Sequence, residues 1–382
     1  MTTDSNDLIY CSRCVLDTTV PEIKFDENGI CNYCYLHDKL IKRYPLGEEG
    51  NRLLTKLIEK IKNNKKSEYD CVVGVSGGTD STFTLYLAKK LGLNPLAVHV
   101  DNGWNSELSV DNIQKTTSKL GVDLHTIVLD WDEFRDLQIA FLKASVPDGE
   151  IPTDIAIFTC LHETAVEEGV KYVINGHHYR TQGTCPKGWT YMDGKYIQSV
   201  HDKYGTMELN QYPNFTLTKL LYYRLIKRIK SVSLIEYQEY DKQETSRMLE
   251  EKLGWRSYGG KHYESIYTRF FQSHILPEKF NIDKRKVHYS AQIRSGQMKR
   301  EEALMKLKKP PIPQEQAQKD KEYVIKKLGM AEGEFNEIMR AKPKTYKDYQ
   351  TYQPLIKKLK KPIKIACQSG ILPERFYQKY AK

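Results

Sequence analysis

The stretch Asp70-Cys71-Val72-Val73-Gly74-Val75-Ser76-Gly77-Gly78-Thr79-Asp80-Ser81-Thr82-Phe83-Thr84-Leu85-Tyr86-Leu87 decides how this chain folds. Its opening, with Cys71, Val72, Val73 and Val75, is an apolar β-branched run of the length of a buried strand, and residues 82–91 carry apolar side chains at helical spacing. Between them lies a turn with two glycines, which let a ligand approach the backbone closely. Ser76 and Ser81 add hydroxyls, and the first amides of the helix point into the turn, as at a phosphate site. The turn lacks the Gly-Lys-Ser/Thr ending of the Walker loop and the Gly-x-Gly-x-x-Gly of dinucleotide folds. The competing reading is a strand-to-helix turn whose glycines serve packing only.

Working outward, residues 95–100, 124–129 and 171–176 read as further strands. Residues 108–120 and 155–168 read as helices, as does a segment ending near Lys143 that Asp132 is placed to cap. Strands alternating with helices of this length imply an α/β fold, a doubly wound parallel sheet. Ligands in such sheets sit beyond the carboxyl ends of the strands, which selects residues 76–81, 101–104 and 176–178. Ser-Gly-Gly-x-Asp-Ser after a strand resembles the PP-loop of the ATP pyrophosphatases, which cleave ATP to AMP and pyrophosphate. The resemblance implies that Ser76, Gly77, Gly78, Thr79, Asp80 and Ser81 hold the pyrophosphate. It also implies that Val98, His99, Val100 and Gly176 flank the adenosine, with His177 a loop contact near the nucleotide. Asp80 is the natural ligand for Mg2+, a hard cation that takes oxygen donors. Its other reading is a first-turn acid complementing the helix dipole, worth about 0.3–1 kcal/mol. Thr153 or Asp154 either caps the helix before the fourth strand, or Asp154 faces the cleft and holds substrate or Mg2+.

Four of the eight cysteines fall at the start, as Cys11-Ser12-Arg13-Cys14 and Cys31-Asn32-Tyr33-Cys34. Two Cys-x-x-Cys knuckles can close a tetrahedral Zn2+ shell with no position left open, so the expectation is a structural zinc ribbon with a hairpin turn at residues 26–29. A redox dithiol is the alternative. The chain has 382 residues, enough for several domains: a ribbon and linker helix at 1–66, an ATP domain at 67–183 and a mainly helical substrate-binding region at 184–382. A formal charge of +10 suits nucleic acid or an anionic small substrate. The 26 tyrosines follow no RNA-module pattern, so nucleic acid is not the favoured partner. No apolar stretch reaches the ~20 residues a bilayer needs, and residues 1–7 lack a signal-peptide core, so a cytoplasmic protein is expected.

Residues 187–215 read as loop or short hairpin, 216–229 as a basic helix, 233–237 as a short strand, and 242–253 as a helix stopped by Gly254. Cys160 falls on an apolar helix face and reads as core, whereas Cys185 is a loop thiol. The next stretch mixes aromatics with cations, which suits a polyanionic ligand, because each buried charge needs a partner. Cys-x-x-Cys with Phe25-Asp26, the 76–81 loop, Gly254-Trp255-Arg256, Lys261-His262 with Glu264, Asp283-Lys284-Arg285 and Ser295-Gly296 occur in this order. Together they resemble the N-acetyl sugar amidotransferase family, whose members turn the acetamido group of an activated sugar into an acetamidino group. The resemblance implies ATP, Mg2+ and a nucleotide-activated N-acetyl sugar, with the product entering lipopolysaccharide or flagellin glycans. It points to Lys261 and Lys284 for charge on the α- or β-phosphate and to Glu264 as base or ammonium binder. Arg285 stands with these catalytic candidates, and Arg256, His262, Arg269 and Arg294 are the candidates for the sugar nucleotide. Cys71, Cys160, Cys185 and Cys367 supply no glutaminase triad, so ammonia is expected from a separate glutaminase subunit or from free ammonium. The alternatives are a PP-loop tRNA-modifying thiolase or lysidine-type synthetase, and a zinc-ribbon interaction protein with a dead nucleotide domain.

Overall fold

The computed structural model describes residues 8–63, 67–260, 263–369 and 372. Helices α1 (Asn32–Arg43) and α2 (Gly47–Lys62) lead from the cysteine module to β1 (Cys71–Gly74). Then come α3 (Thr79–Lys90), β2 (Pro95–Asp101), α4 (Glu107–Leu120), β3 (Leu124–Val128), α5 (Trp131–Lys143), α6 (Ile151–Glu167) and β4 (Tyr172–Ile174). Short α7 (Tyr179–Gln182), α8 (Gly194–Tyr204) and α9 (Leu217–Leu221) precede β5 (Lys230–Val232). The five strands form one sheet in the order β3-β2-β1-β4-β5, with every neighbouring pair parallel. The chain winds outward from β1 to β3 and then returns to the other side of β1. The strand order therefore reverses between β1 and β4, and residues 76–81 emerge at the crevice this opens.

The period-two pattern of the strands produces the layers. Cys71, Val73 and Ala97 pack against Leu54 and Ile58 of α2 and Leu85 of α3. Val72, Leu96 and Val98 face the other way, against Leu161 and Ala165 of α6. Burying each large apolar side chain in these layers contributes about 1.5–3 kcal/mol. Beyond the sheet, α10 (Lys242–Leu253) stops at Gly254, whose φ of +67° suits glycine. The chain continues through α11 (Ile266–Phe270), α12 (Leu276–Phe280), α13 (Arg285–Arg294), α14 (Arg300–Leu307), α15 (Gln314–Leu328) and α16 (Glu332–Arg340). Phe270 and Phe335 from these helices, with Phe271 just after α11, join Trp104, Phe134 and the cysteine module in one apolar cluster. No helix among the described residues is long and apolar enough to cross a membrane.

Several expected elements shift. Asp130, not Asp132, caps α5, its side chain accepting from the Glu133 amide at 2.9 Å, because Trp131 is already helical and packs on Trp104. Residues 187–215 contain α8, capped by Asp193 and held by burial of Tyr196, Ile197 and Val200, which a polar composition conceals. The expected strand at 233–237 is displaced: Lys230–Val232 extends the ladder on β4, while Ile235–Tyr237 forms a 3-10 turn that aims Glu236 at the Tyr179 amide. The helix expected over 216–229 is α9 followed by a π turn, Tyr222–Ile226. Neither Thr153 nor Asp154 caps α6, which begins at Ile151 with Glu150 at the cap position.

Candidate active site

The turn after β1 is braced by its own hydroxyls. The Ser76 amide donates to Ser81 Oγ at 3.1 Å, the two serine hydroxyls lie 3.2 Å apart, and Ser81 Oγ donates to the Gly78 carbonyl at 3.1 Å. Gly77 takes a φ of +77°, which leaves the amides at the start of α3 facing the crevice. β4 brings Gly176 against this helix start, so close that a Cβ there would stand 3.1 Å from the Asp80 carbonyl and the Ser81 nitrogen. Asp80 is held by two residues that sequence reasoning missed. Gln182 Nε2 donates to one carboxylate oxygen at 2.8 Å, and the Tyr240 hydroxyl donates to the other. A carboxylate at the start of α3, beside the phosphate turn, is the hard oxygen donor that Mg2+ takes, so Mg2+ coordination at Asp80 fits the donor set. His99 is buried at the end of β2 with Nδ1 3.1 Å from the Val75 carbonyl, and Val98 and Val100 lie in the ladder beside it.

The late aromatic segment folds onto this loop. Trp255 Nε1 donates to the Gly77 carbonyl at 2.7 Å, and the Tyr258 hydroxyl donates to the same oxygen at 3.0 Å. Asn112 of α4 clamps the segment by pairing both ways with the Arg256 backbone, at 2.8 and 2.9 Å. Glu264 returns to the loop, its Oε1 3.3 Å from where a Cβ of Gly78 would be. Its own carbonyl accepts from the Ser106 amide at 3.0 Å, and Ser265 bridges to Asn105. Lys261 and His262 lie outside the described residues, and the chain on both sides of them touches the phosphate loop.

A second charged group occupies the crevice mouth at the start of α6. Lys284 Nζ lies 2.6 Å from Glu150 Oε2, with side chains only 16% and 12% exposed, and Gln272 donates to both Glu150 oxygens at 3.0 Å. Burial works against the Lys284 charge, but Glu150, helped by Cys185 and Asp154, outweighs it and holds the ammonium above its ordinary range. Asn102 donates to Thr153 Oγ1 at 3.0 Å, which ties the loop after β2 to the same helix start. The remaining cationic candidates are engaged elsewhere. Arg269 forms a fork on Asp320, both contacts 2.6 Å; Arg285 pairs with Asp283 at 2.7 Å; and Arg256, largely exposed, pairs with Asp111 at 2.7 Å. Arg294 points into the cysteine module.

In that module Cys11, Cys14, Cys31 and Cys34 are fully buried, with ligand atoms all within 4.8 Å of one another. The Sγ–Sγ separations of 3.8, 3.8 and 3.6 Å match the edge of a tetrahedron built on Zn–S bonds of about 2.3 Å. Hydrogen bonds from the neighbouring thiols pull Cys11 below its ordinary range and push Cys34 above it. Like charges cannot all ionise in one such site, so four thiolates together need a cation among them. The donor set fits Zn2+ as a closed shell.

His178, in the loop after β4, is fully buried with Nε2 unpartnered, and burial lowers it to about 4 despite the pull of Glu236 and Asp80. His162 in α6 is likewise lowered by burial to about 4. The unfolded chain binds protons at these positions first, near pH 6.5, so their stability is complete above that value and is lost as pH falls toward 4. At pH 5 each residue should cost about 2 kcal/mol relative to neutral pH. Urea titrations at pH 7.5 and 5.0 check this: His178→Asn should flatten the loss, and an undiminished loss would assign it to other groups.

Away from the loop, a cleft of about 1570 Å³ runs between α1, the edge strand β5 and residues 346–357. It gathers Lys24, Lys39, Lys42, Lys187, Lys230 and Lys347, none with a carboxylate in ion-pair range among the described residues. Apart from Lys39 and Lys42 of α1, these lysines come from separate segments, so no sequence cluster announces the group.

Two family models match separate parts of the chain. Residues 264–363 match the WbpG-like C-terminal domain of LPS biosynthesis proteins, and residues 70–159 match the queuosine biosynthesis protein QueC. The uncharacterised protein MJ1599 of Methanocaldococcus jannaschii is 27% identical over 321 residues, spanning 80% of this chain and 95% of that one. The tRNA-specific 2-thiouridylase MnmA of Yersinia pestis is 30% identical over 131 residues, 30% of this chain and 35% of that one. Among solved structures, the U34-tRNA thiolase NcsA of Methanococcus maripaludis aligns over 78% of this chain and 88% of its own at 16% identity, TM-score 0.34. The NH3-dependent NAD synthetase of Campylobacter jejuni aligns over 70% of this chain and 99% of its own at 15% identity, TM-score 0.30.

Proposed function

We propose that this chain, which belongs to the N-acetyl sugar amidotransferase family of the PP-loop superfamily, uses ATP and ammonia to convert the acetamido group of a nucleotide-activated sugar into an acetamidino group. The observation that carries this reading is a junction. Glu264, the first residue of the WbpG-like match, lies against Gly78 of the phosphate loop, so the sugar-linked segment and the nucleotide turn share one crevice.

An acetamido carbon is a poor electrophile and its oxygen a poor leaving group. Attack of that oxygen on the α-phosphorus of ATP breaks the α–β bridge, releases pyrophosphate and gives an imidoyl adenylate. Ammonia then adds to the imidoyl carbon, and AMP departs with the original oxygen, leaving the amidine. Positioning and charge stabilisation supply most of the acceleration in such transfers. The amides of residues 77–81 and the two serine hydroxyls hold the pyrophosphate. Asp80 would hold Mg2+, which when bound would supply neutralisation of phosphate charge. Glu264 takes the proton that ammonia loses on addition, and Lys261 is assigned the charge that develops on the α- or β-phosphate. Lys284 and Asp154 line the side where the sugar nucleotide enters, and a separate glutaminase supplies the ammonia.

Incubation with Mg-ATP, ammonium and a diacetamido sugar nucleotide should give AMP, pyrophosphate and a product one mass unit lighter, since oxygen is replaced by NH. ADP as the spent nucleotide would overturn the scheme, and glutamate release by the isolated chain would overturn the separate ammonia source. The lysine cleft favours a second reading, a tRNA-modifying enzyme, because unpaired cations beside tyrosines suit an RNA backbone. AMP formation dependent on bulk tRNA and indifferent to the sugar nucleotide selects that reading.

A further inference from the structure

The geometry points to Arg294 as the outer-shell counter-ion of the four-cysteine metal site, so that the metal is retained by a helix 260 residues downstream of the last knuckle. This inference holds whatever the substrate is, because it concerns only the ribbon and α13.

Four thiolates around one divalent cation leave two negative charges in excess, and buried excess charge is costly unless donors reach it. The ribbon's own amides serve one sulfur. Cys11 Sγ accepts from the amides of Arg13 at 3.4 Å and Cys31 at 3.2 Å. Among the described residues, the N–H donors to the other three sulfurs come from Arg294. Its Nε reaches Cys34 Sγ at 3.2 Å, and its Nη2 reaches Cys14 Sγ at 3.1 Å and Cys31 Sγ at 3.8 Å. A planar guanidinium presents its donors in a fixed fork and can address several sulfurs at once, which an ammonium cannot.

The surrounding contacts fix that guanidinium in place. Arg300 donates to the Cys14 carbonyl at 3.1 Å and the Cys11 carbonyl at 3.2 Å. Lys286 pairs at 2.6 Å with Asp17, which is wholly buried, and the Val15 amide donates to Ser290 Oγ at 3.2 Å. All four residues lie on α13 or at the start of α14. Metal retention and docking of these helices are therefore one equilibrium: loss of either weakens the other. The same helix follows directly on Lys284, so the ribbon also sets where that ammonium meets Glu150.

The test uses the zinc-loaded full chain and follows Zn2+ release to the dye 4-(2-pyridylazo)resorcinol, with no substrate present. Arg294→Gln should lose zinc about 10–100-fold more readily, the range for removed outer-shell partners. Arg294→Lys should fall between it and the parent, since one ammonium meets fewer sulfurs. Arg52→Gln, which breaks an exposed pair with Glu49 on α2, should match the parent. Parent-like release from Arg294→Gln overturns the inference, as does equal acceleration in Arg52→Gln. If Arg294→Gln does not fold, Arg294→Lys decides: weakened retention supports the assignment, and parent-like retention overturns it.

Discussion

Lys284→Met is expected to destabilise the folded chain by about 3–5 kcal/mol, the cost of stripping one partner from a buried ion pair. Glu150 would then lose its ammonium in a setting 12% exposed, while Gln272 Nε2 still donates to both of its oxygens at 3.0 Å. The loss comes from stranding that carboxylate rather than from the worth of the pair, so the double variant Lys284→Met with Glu150→Gln should recover most of it. Urea titration of the two single variants, the double and the parent measures the coupling. A single-variant cost below about 1 kcal/mol would place the pair among weak surface bridges. The double variant also separates structure from chemistry. If Lys284 meets the anionic part of the substrate, restored stability will not restore AMP formation, whereas a purely structural lysine gives back both.

How far the sequence led depends on how local each feature is. The β1 turn was legible because strand, glycines, hydroxyls and helix start are contiguous, and the sheet followed from strands alternating with helices. The knuckles were legible because ligand spacing is itself a local constraint. What escaped is contact across the chain. Tyr240 and Gln182 hold Asp80 from 160 and 102 residues away, and nothing in their neighbourhoods marks them. Arg294 was read as a substrate contact because a guanidinium suits carboxylate, phosphate and thiolate alike; only packing selected the sulfurs. Trp255 stood in the quoted family cluster without a role, and the fold supplies one, an indole N–H on the Gly77 carbonyl. β5, only three residues long, exists because β4 offers it a ladder. Its neighbour 233–237 has the stronger apolar pattern and turns away.

Gly77→Ala and Gly78→Ala should behave differently, although the two positions are adjacent. At Gly77 a Cβ would stand 2.5 Å from the Ser109 carbonyl oxygen and 2.9 Å from the Tyr258 hydroxyl, on a backbone with φ of +77°. The backbone of α4 cannot retreat without pulling the Asn112 clamp, so the loop must move instead. A strained residue of this kind costs about 1–3 kcal/mol. Displacement of the phosphate-binding amides by about 1 Å is expected to cost on the order of 100-fold in turnover. At Gly78 the nearest atoms are Glu264 Oε1 at 3.3 Å and Ser76 Oγ at 3.4 Å, both at the ends of side chains that can give way. Gly78→Ala should therefore fold like the parent and bind ATP, while pushing Glu264 off the loop and, in the proposed reaction, slowing only the ammonia-dependent step. Pyrophosphate release and amidine formation, followed separately, distinguish the two. Equal loss of ATP binding in both variants would mean that the turn tolerates no side chain anywhere, and that Glu264 has no role separable from it.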